Sequence, residues 1–205
     1  MNRLPSEYPF EFVEDVAQQV YKSDYGPQVE QSAIFEGVHF DSIAESNLGI
    51  VLTSHCDIQR YSDSSYVLLA RLAPVKEVFA YWLITDHDYS EEEALGEMPV
   101  AKGKKTRKEV CRIFLNSYLR NRTFRYFFLP ELQGILDGSL ICFEITTCIR
   151  LSRLSDLRKV CVLRSPFREA VAAHYSAYMG RVGTPALKED VLHGCIESIC
   201  RIRNS

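Results

Sequence analysis

"YVLLARLAPV", residues 66 to 75, is apolar on both faces of an extended chain. A strand that must hide both faces cannot sit at a solvated edge, so this segment demands a central place in a sheet. It also carries one charge, Arg71, and a charge in such a strand has to be paired or opened to a groove. The polar run "QRYSDSS" precedes it, with the length that joins antiparallel strands. Ahead of that loop, "GIVLTS" runs straight into Ser54, His55, Cys56 and Asp57, four side chains able to do chemistry. A hairpin of these two segments places Arg71 on the strand beside the quartet, with Asp57 as one candidate partner.

The remaining pattern is mixed. Residues 34–40 and 48–54 read as short strands, and strands resume at 124–130, 140–151 and 159–164. Between them, residues 77–122 begin apolar, turn acidic, then basic, and end as a helix. Thr106 followed by Glu109 reads as its capping box, with Val110, Phe114 and Tyr118 along one face. Phe12, Val13, Val16, Ala17, Val20 and Tyr21 recur at helical spacing, so a first helix is expected over 10–21. Ser165-Pro166 opens another, with Phe167, Val171, His174, Tyr178 and Val182 on one side, and Leu187, Val191, Ile196 and Ile199 point to a last one.

The expected fold is therefore α+β, one domain over 1–205 built on a small, strongly curved antiparallel sheet or β-barrel. Its strands fall within 34–75 and 124–164, a helical insertion fills 77–122, and C-terminal helices occupy 166–203. A chain of 205 residues with 46% hydrophobic content is long enough to bury one full core. No run of about 18 apolar residues occurs, so no membrane span is expected. "MNRLPSEYPFEF" does not read as a secretory signal, and seven cysteines, an odd number, fit a reducing cytoplasm better than a disulfide framework.

Charge is divided along the chain. Residues 1–101 hold five Lys/Arg against 18 Asp/Glu, a net −13, whereas 102–205 hold 19 against nine, a net +10. Such a division points to an anionic partner for the basic half, or to pairing between the halves. It is sharpest from Lys102 to Arg125, where nine cations (Lys102, Lys104, Lys105, Arg107, Lys108, Arg112, Arg120, Arg122, Arg125) face one acid, Glu109. Aromatics interleave at Phe114, Tyr118, Phe124, Tyr126 and Phe127. Cations for phosphates and rings for bases are what single-stranded nucleic acid binding uses.

Other chemistry has less to build on. Cys142 and Cys148 share a strand face but lie about 20 Å apart, at roughly 3.3 Å per residue, too far to share one ion. Cys195 and Cys200 lie about 140° apart around a helix of 3.6 residues per turn. No CxxC, HxxxH or HxH pair occurs, so no metal site is expected. Neither GxxxxGK[ST] nor GxGxxG occurs, so no nucleotide cofactor is expected. A Cys56 nucleophile needs a base or cation beside it, and in extended chain His55 and Cys56 point to opposite faces. The alternative is a turn in which Ser54 and Asp57 bond local backbone and Cys56 fills the core. Arg71, and Arg125 with Tyr126, are the cations and ring that would complete a catalytic arrangement.

The order of elements resembles the small SH3-like barrel of the PemK/MazF family of bacterial growth inhibitors, which are ribonucleases. "GIVLTS" is similar to their apolar strand ending in Ser, and "LARLAPV" to the following strand ending in proline. "RLSRLSDLRKVCVLRSPFREAVAAHYSAYMG" is similar to their late basic segment, strand and helix. The family's catalytic Arg has no counterpart in "ESNLGIV", and Lys76 stands where its Ser/Thr belongs. The resemblance thus implies the barrel and carries over no catalytic residue. Three functions follow as expectations. The first is a non-catalytic binding subunit of a bacterial mobile-element or defence assembly, contacting RNA, single-stranded DNA or a larger protein subunit through 102–125. The second is a PemK/MazF-like ribonuclease with rearranged catalytic residues, and the third an enzyme with Cys56 as nucleophile.

Overall fold

The computed structural model describes residues 16–22, 26–41, 43–96 and 107–180. Six strands, β1 (Ala33–Phe40), β2 (Ile43–Val51), β3 (Tyr66–Pro74), β4 (Tyr126–Leu129), β5 (Ser139–Arg150) and β6 (Arg158–Val162), form one antiparallel sheet. Their order is β4-β5-β3-β2-β1-β6. β3, apolar on both faces, lies between β2 and β5, the interior place its sequence demands. The expected α+β antiparallel character is present. The expected closure is not, because β4 and β6 end the sheet without pairing with each other. β1 nevertheless touches β5 across two intervening strands, so the sheet curls on itself while staying open.

Each face has its own cover. Ile34, Ile50, Ala70, Leu72, Phe127, Ile141 and Phe143 pack beneath Val20 and Tyr21 at the end of α1 (Val16–Val20) and Val171 of α7 (Phe167–Met179). The other face is split in two. Ala73, Leu140 and Cys142 lie under α3 (Val75–His87), α4 (Glu91–Leu95) and α5 (Arg107–Phe114). Phe35, Val38, Val51, Val67 and Leu69 fill the curl together with Ile58 of α2 (His55–Ile58) and Leu154 of α6 (Leu151–Leu154). Each of these large side chains contributes about 1.5–3 kcal/mol by leaving water.

The helical insertion lies where expected, but it starts directly at Val75, so "VFAYWLI" is helix from the end of β3 onward. The capping box that forms is Ser90–Glu93: Ser90 N–H donates to Glu93 Oε2 at 2.8 Å and Glu93 N–H to Ser90 Oγ at 3.3 Å. The predicted Thr106–Glu109 box falls partly outside the described residues, as do residues 10–15 of the first helix and the whole last helix. β2 begins at Ile43 and ends at Val51, earlier than predicted, because Leu68 N–H goes to Thr53 Oγ1 at 2.8 Å instead of a main-chain carbonyl.

Two irregularities meet near the centre. Pairing of β3 with β5 passes from Ala70↔Thr146 to Arg71↔Cys142, so residues 143–145 bulge out without partners in β3. Phe143 N–H donates instead to Arg125 O at 3.0 Å. Next to β4, α5 continues into a single π-helical turn, Leu115–Leu119. Bulges and π-turns re-aim side chains, and both concentrate at functional sites.

The sheet edges are blunted. Phe128 N–H of β4 is taken by the Asn121 side chain at 2.5 Å, and Asn121 itself is left-handed at φ 52°. At β6, Lys22 N–H donates to Val162 O and Arg164 N–H to Val20 O, both at 2.8 Å. Open edge groups invite strand addition, and these contacts occupy several of them. Among the described residues no helix is long and apolar enough to cross a membrane.

Candidate functional site

The quartet after β2 forms one turn of helix. Ser54 caps it: its Oγ accepts Asp57 N–H at 3.2 Å and donates to Asp57 Oδ2 at 2.7 Å. Asp57 is thereby held by the turn it helps to make. His55 Nε2 lies 2.9 Å from Gln59 Nε2, directed along the helix and not toward Cys56. Cys56 is exposed, and the residue that enters the core is Ile58. This is the turn-forming reading, with the correction that Cys56 fills no core space. Arg71 does not reach Asp57.

Arg71 lies on the opposite side of the hairpin's register, in a row of directly paired residues across four strands: Gly49, Arg71, Cys142 and Tyr126. Direct cross-strand neighbours share a face, and along β3 Arg71 stands between Leu69 of one apolar cluster and Ala73 of the other. Arg71 is only 8% exposed. Its Nε and Nη2 donate to Asn47 Oδ1 at 3.1 and 3.0 Å, and Nη2 donates to Glu77 Oε2 at 2.9 Å. Nη1 meets Glu77 Oε1 at 2.8 Å, completing a two-pronged ion pair. Burial pushes the Cys142 thiol up to about 12, against an opposing pull from the Arg71 guanidinium. Burial, and then the neighbouring Cys142, also raise the Tyr126 phenol, which stays a proton donor. At the rim, Arg125 Nε lies 3.1 Å from Glu144 Oε1.

Glu77, Asn47 and Cys142 are the members of this arrangement that the sequence reading missed. A signal for Glu77 exists: once a helix starts right after Pro74, the residue three positions past Pro74 lies in its first turn and can reach back to the strand end. Tyr126 is in the row as a named candidate, whereas its neighbour Arg125 is turned to Glu144. A groove of about 580 Å³ opens elsewhere, between α3, α5 and Gly138, and no member of the Arg71 row lines it.

The basic segment is described in part. Lys102, Lys104 and Lys105 fall outside the described residues, and Arg107 and Lys108 open α5. Arg112, Arg120, Arg122 and Arg125 are exposed. The rings of the segment are more withdrawn. Phe114 and Phe127 are buried, Tyr118 stacks on Phe114 at 4.6 Å, and Phe124 stacks on His174 at 5.8 Å. About half of these rings are expected in the core from the sequence, and Phe114 and Phe127 are buried while Tyr118, Phe124 and Tyr126 stay half-buried beside the exposed cations. Among the described residues no group of three His, Cys, Asp or Glu side chains is placed to hold a metal ion.

Thiol reactivity tests the quartet directly. Cys56 and Cys148 are exposed, whereas Cys142 and Cys161 are buried with thiols pushed up to about 12. At about pH 8, iodoacetamide should label Cys56 and Cys148 at similar rates, and Cys142 and Cys161 only on unfolding. Cys56 labelling more than about tenfold faster than Cys148 would instead mean an activated thiolate and revive the nucleophile reading.

No protein-family model matches the chain, and no curated protein matches it.

Proposed function

We propose that the chain is a non-catalytic binding protein that holds the phosphate backbone of RNA or single-stranded DNA through its basic segment, residues 102–125. The observation that carries this reading is the exposure of Arg112, Arg120, Arg122 and Arg125, while Phe114 and Phe127 are buried and Tyr118, Phe124 and Tyr126 are half-buried. Fully exposed cations beside buried and half-buried rings favour contact with phosphates over stacking on bases. The catalytic readings have less support, since His55 is directed to Gln59, Asp57 to Ser54 and Arg71 to Glu77. In this proposal the curled sheet is a small SH3-like scaffold, as the PemK/MazF resemblance implies, used for binding within a larger bacterial assembly.

Binding through phosphates weakens steeply with salt, by roughly 0.7 in the slope of log K against log salt per contact to a single strand. Changing Lys104, Lys105 and Arg107 together to Ala should flatten that slope by about 2 units, and changing Arg112, Arg120 and Arg122 should do likewise. The second set is exposed, so its melting temperature should stay within a degree or so of the parent. Fluorescence anisotropy with a labelled oligonucleotide over a salt series measures the slope. Failure to bind at low salt overturns the proposal, and release of a co-purifying acidic protein by the same variants reassigns the segment to protein docking.

A further inference from the structure

Arg71 and Glu77 form an ion pair that spans the boundary between core and surface. Here the two are unequal: the Arg71 side chain is 10% exposed and the Glu77 side chain 49%. The cation is already stripped of water and fixed from its Nε side by Asn47. The carboxylate comes from a different element, the first turn of α3, and faces solvent. Exchanging Glu77 for another anion therefore requires no new desolvation of the guanidinium, and the released carboxylate returns to water it already touches. The bulge at residues 143–145 brings Cys142 opposite Arg71. These are the parts of a preorganised oxyanion site: a buried fork and a positioning amide.

We propose that Arg71 is a binding site for a carboxylate or phosphate group of a small ligand, and that Glu77 is its displaceable internal occupant. Ligand entry swings Glu77 outward, leaves the Asn47 contact in place and seats the oxyanion on the fork that Glu77 vacates. Arg71, Asn47 and Glu77 all lie outside residues 102–125, so the fate of the site does not depend on nucleic acid binding.

The test uses the full chain and two probes, inorganic phosphate and malonate, each titrated against sodium chloride at matched ionic strength. The readouts are the melting temperature and the Nε–H resonance of Arg71. Glu77→Gln keeps the side-chain shape and removes the competing charge. It should reach half-maximal stabilisation at roughly tenfold lower probe concentration than the parent, with the Arg71 resonance moving in step. Arg71→Met with Glu77→Gln removes both charges, so no buried cation is left unpaired, and this double variant should respond to the probes as it does to chloride. A response to phosphate alone assigns a phosphate-bearing ligand, and one to malonate alone a carboxylate. The proposal fails if Glu77→Gln responds no better than the parent, or if the double variant responds equally well.

Discussion

Replacing Phe143 with Ala should lower the stability of the protein by about 3–5 kcal/mol, as large-to-small changes of a buried aromatic do. Phe143 is 2% exposed and is ringed by His174 at 5.8 Å, Tyr175 at 5.5 Å and Tyr178 at 6.1 Å. It is the first residue of the bulge without a partner in β3, so its side chain, more than the ladder, holds the bulge in place. Truncation therefore opens a cavity under α7 and loosens the turn of chain that presents Cys142 and Glu144 to the other face. Phe143→Leu keeps most of the volume and should lose about 1–2 kcal/mol. Urea denaturation of the three proteins checks this ordering. A loss below about 1 kcal/mol for the Ala variant would show that the bulge is held by other contacts.

The second large effect is an asymmetry. Glu77→Ala leaves a guanidinium that is 8% exposed without its carboxylate, and should lower stability by about 2–4 kcal/mol. Arg71→Met leaves a carboxylate that is already half in water and can hydrate, so it should lower stability by less, about 0–2 kcal/mol. The double variant should resemble Arg71→Met, because the uncompensated charge is gone. Equilibrium unfolding of the four proteins of this cycle gives the coupling directly. Equal losses for the two single variants would mean that Arg71 contributes through packing of its stem and not through charge.

Much of the scaffold was legible in local pattern. The two-sided apolar run of β3, the polar loop before it, and the apolar side of α7 each depend on short-range spacing, and the structure keeps them. What pattern cannot carry is the covering partner. The alternation of β5 reports which residues face the core, but the three-residue bulge is visible only in its pairing with β3. Arg71 was recognisable as a charge needing company, yet its partner came from α3. That helix is apolar around much of its middle, from Val78 to Ile84, and lacks the contrast that marks a helical face. The basic segment shows cations and rings together, and only the packing of Tyr118 on Phe114 and Phe124 on His174 reveals how far each ring is withdrawn. Sheet closure likewise depends on two edges far apart in sequence, where composition says nothing.

The pairing of β3 with β5 also fixes an order of events during synthesis. Tyr66 and Arg150 meet across this ladder, yet 84 residues separate them. The middle of the sheet therefore cannot assemble on the ribosome until the chain has emerged past residue 139, where β5 begins. Until then β3, apolar on both faces, has only the β2 hairpin and the adjoining helix α3 to shield it. Non-local pairing of this kind slows folding and prolongs exposure of apolar surface. A nascent chain stalled before β5 is the stage at which this protein most needs a chaperone.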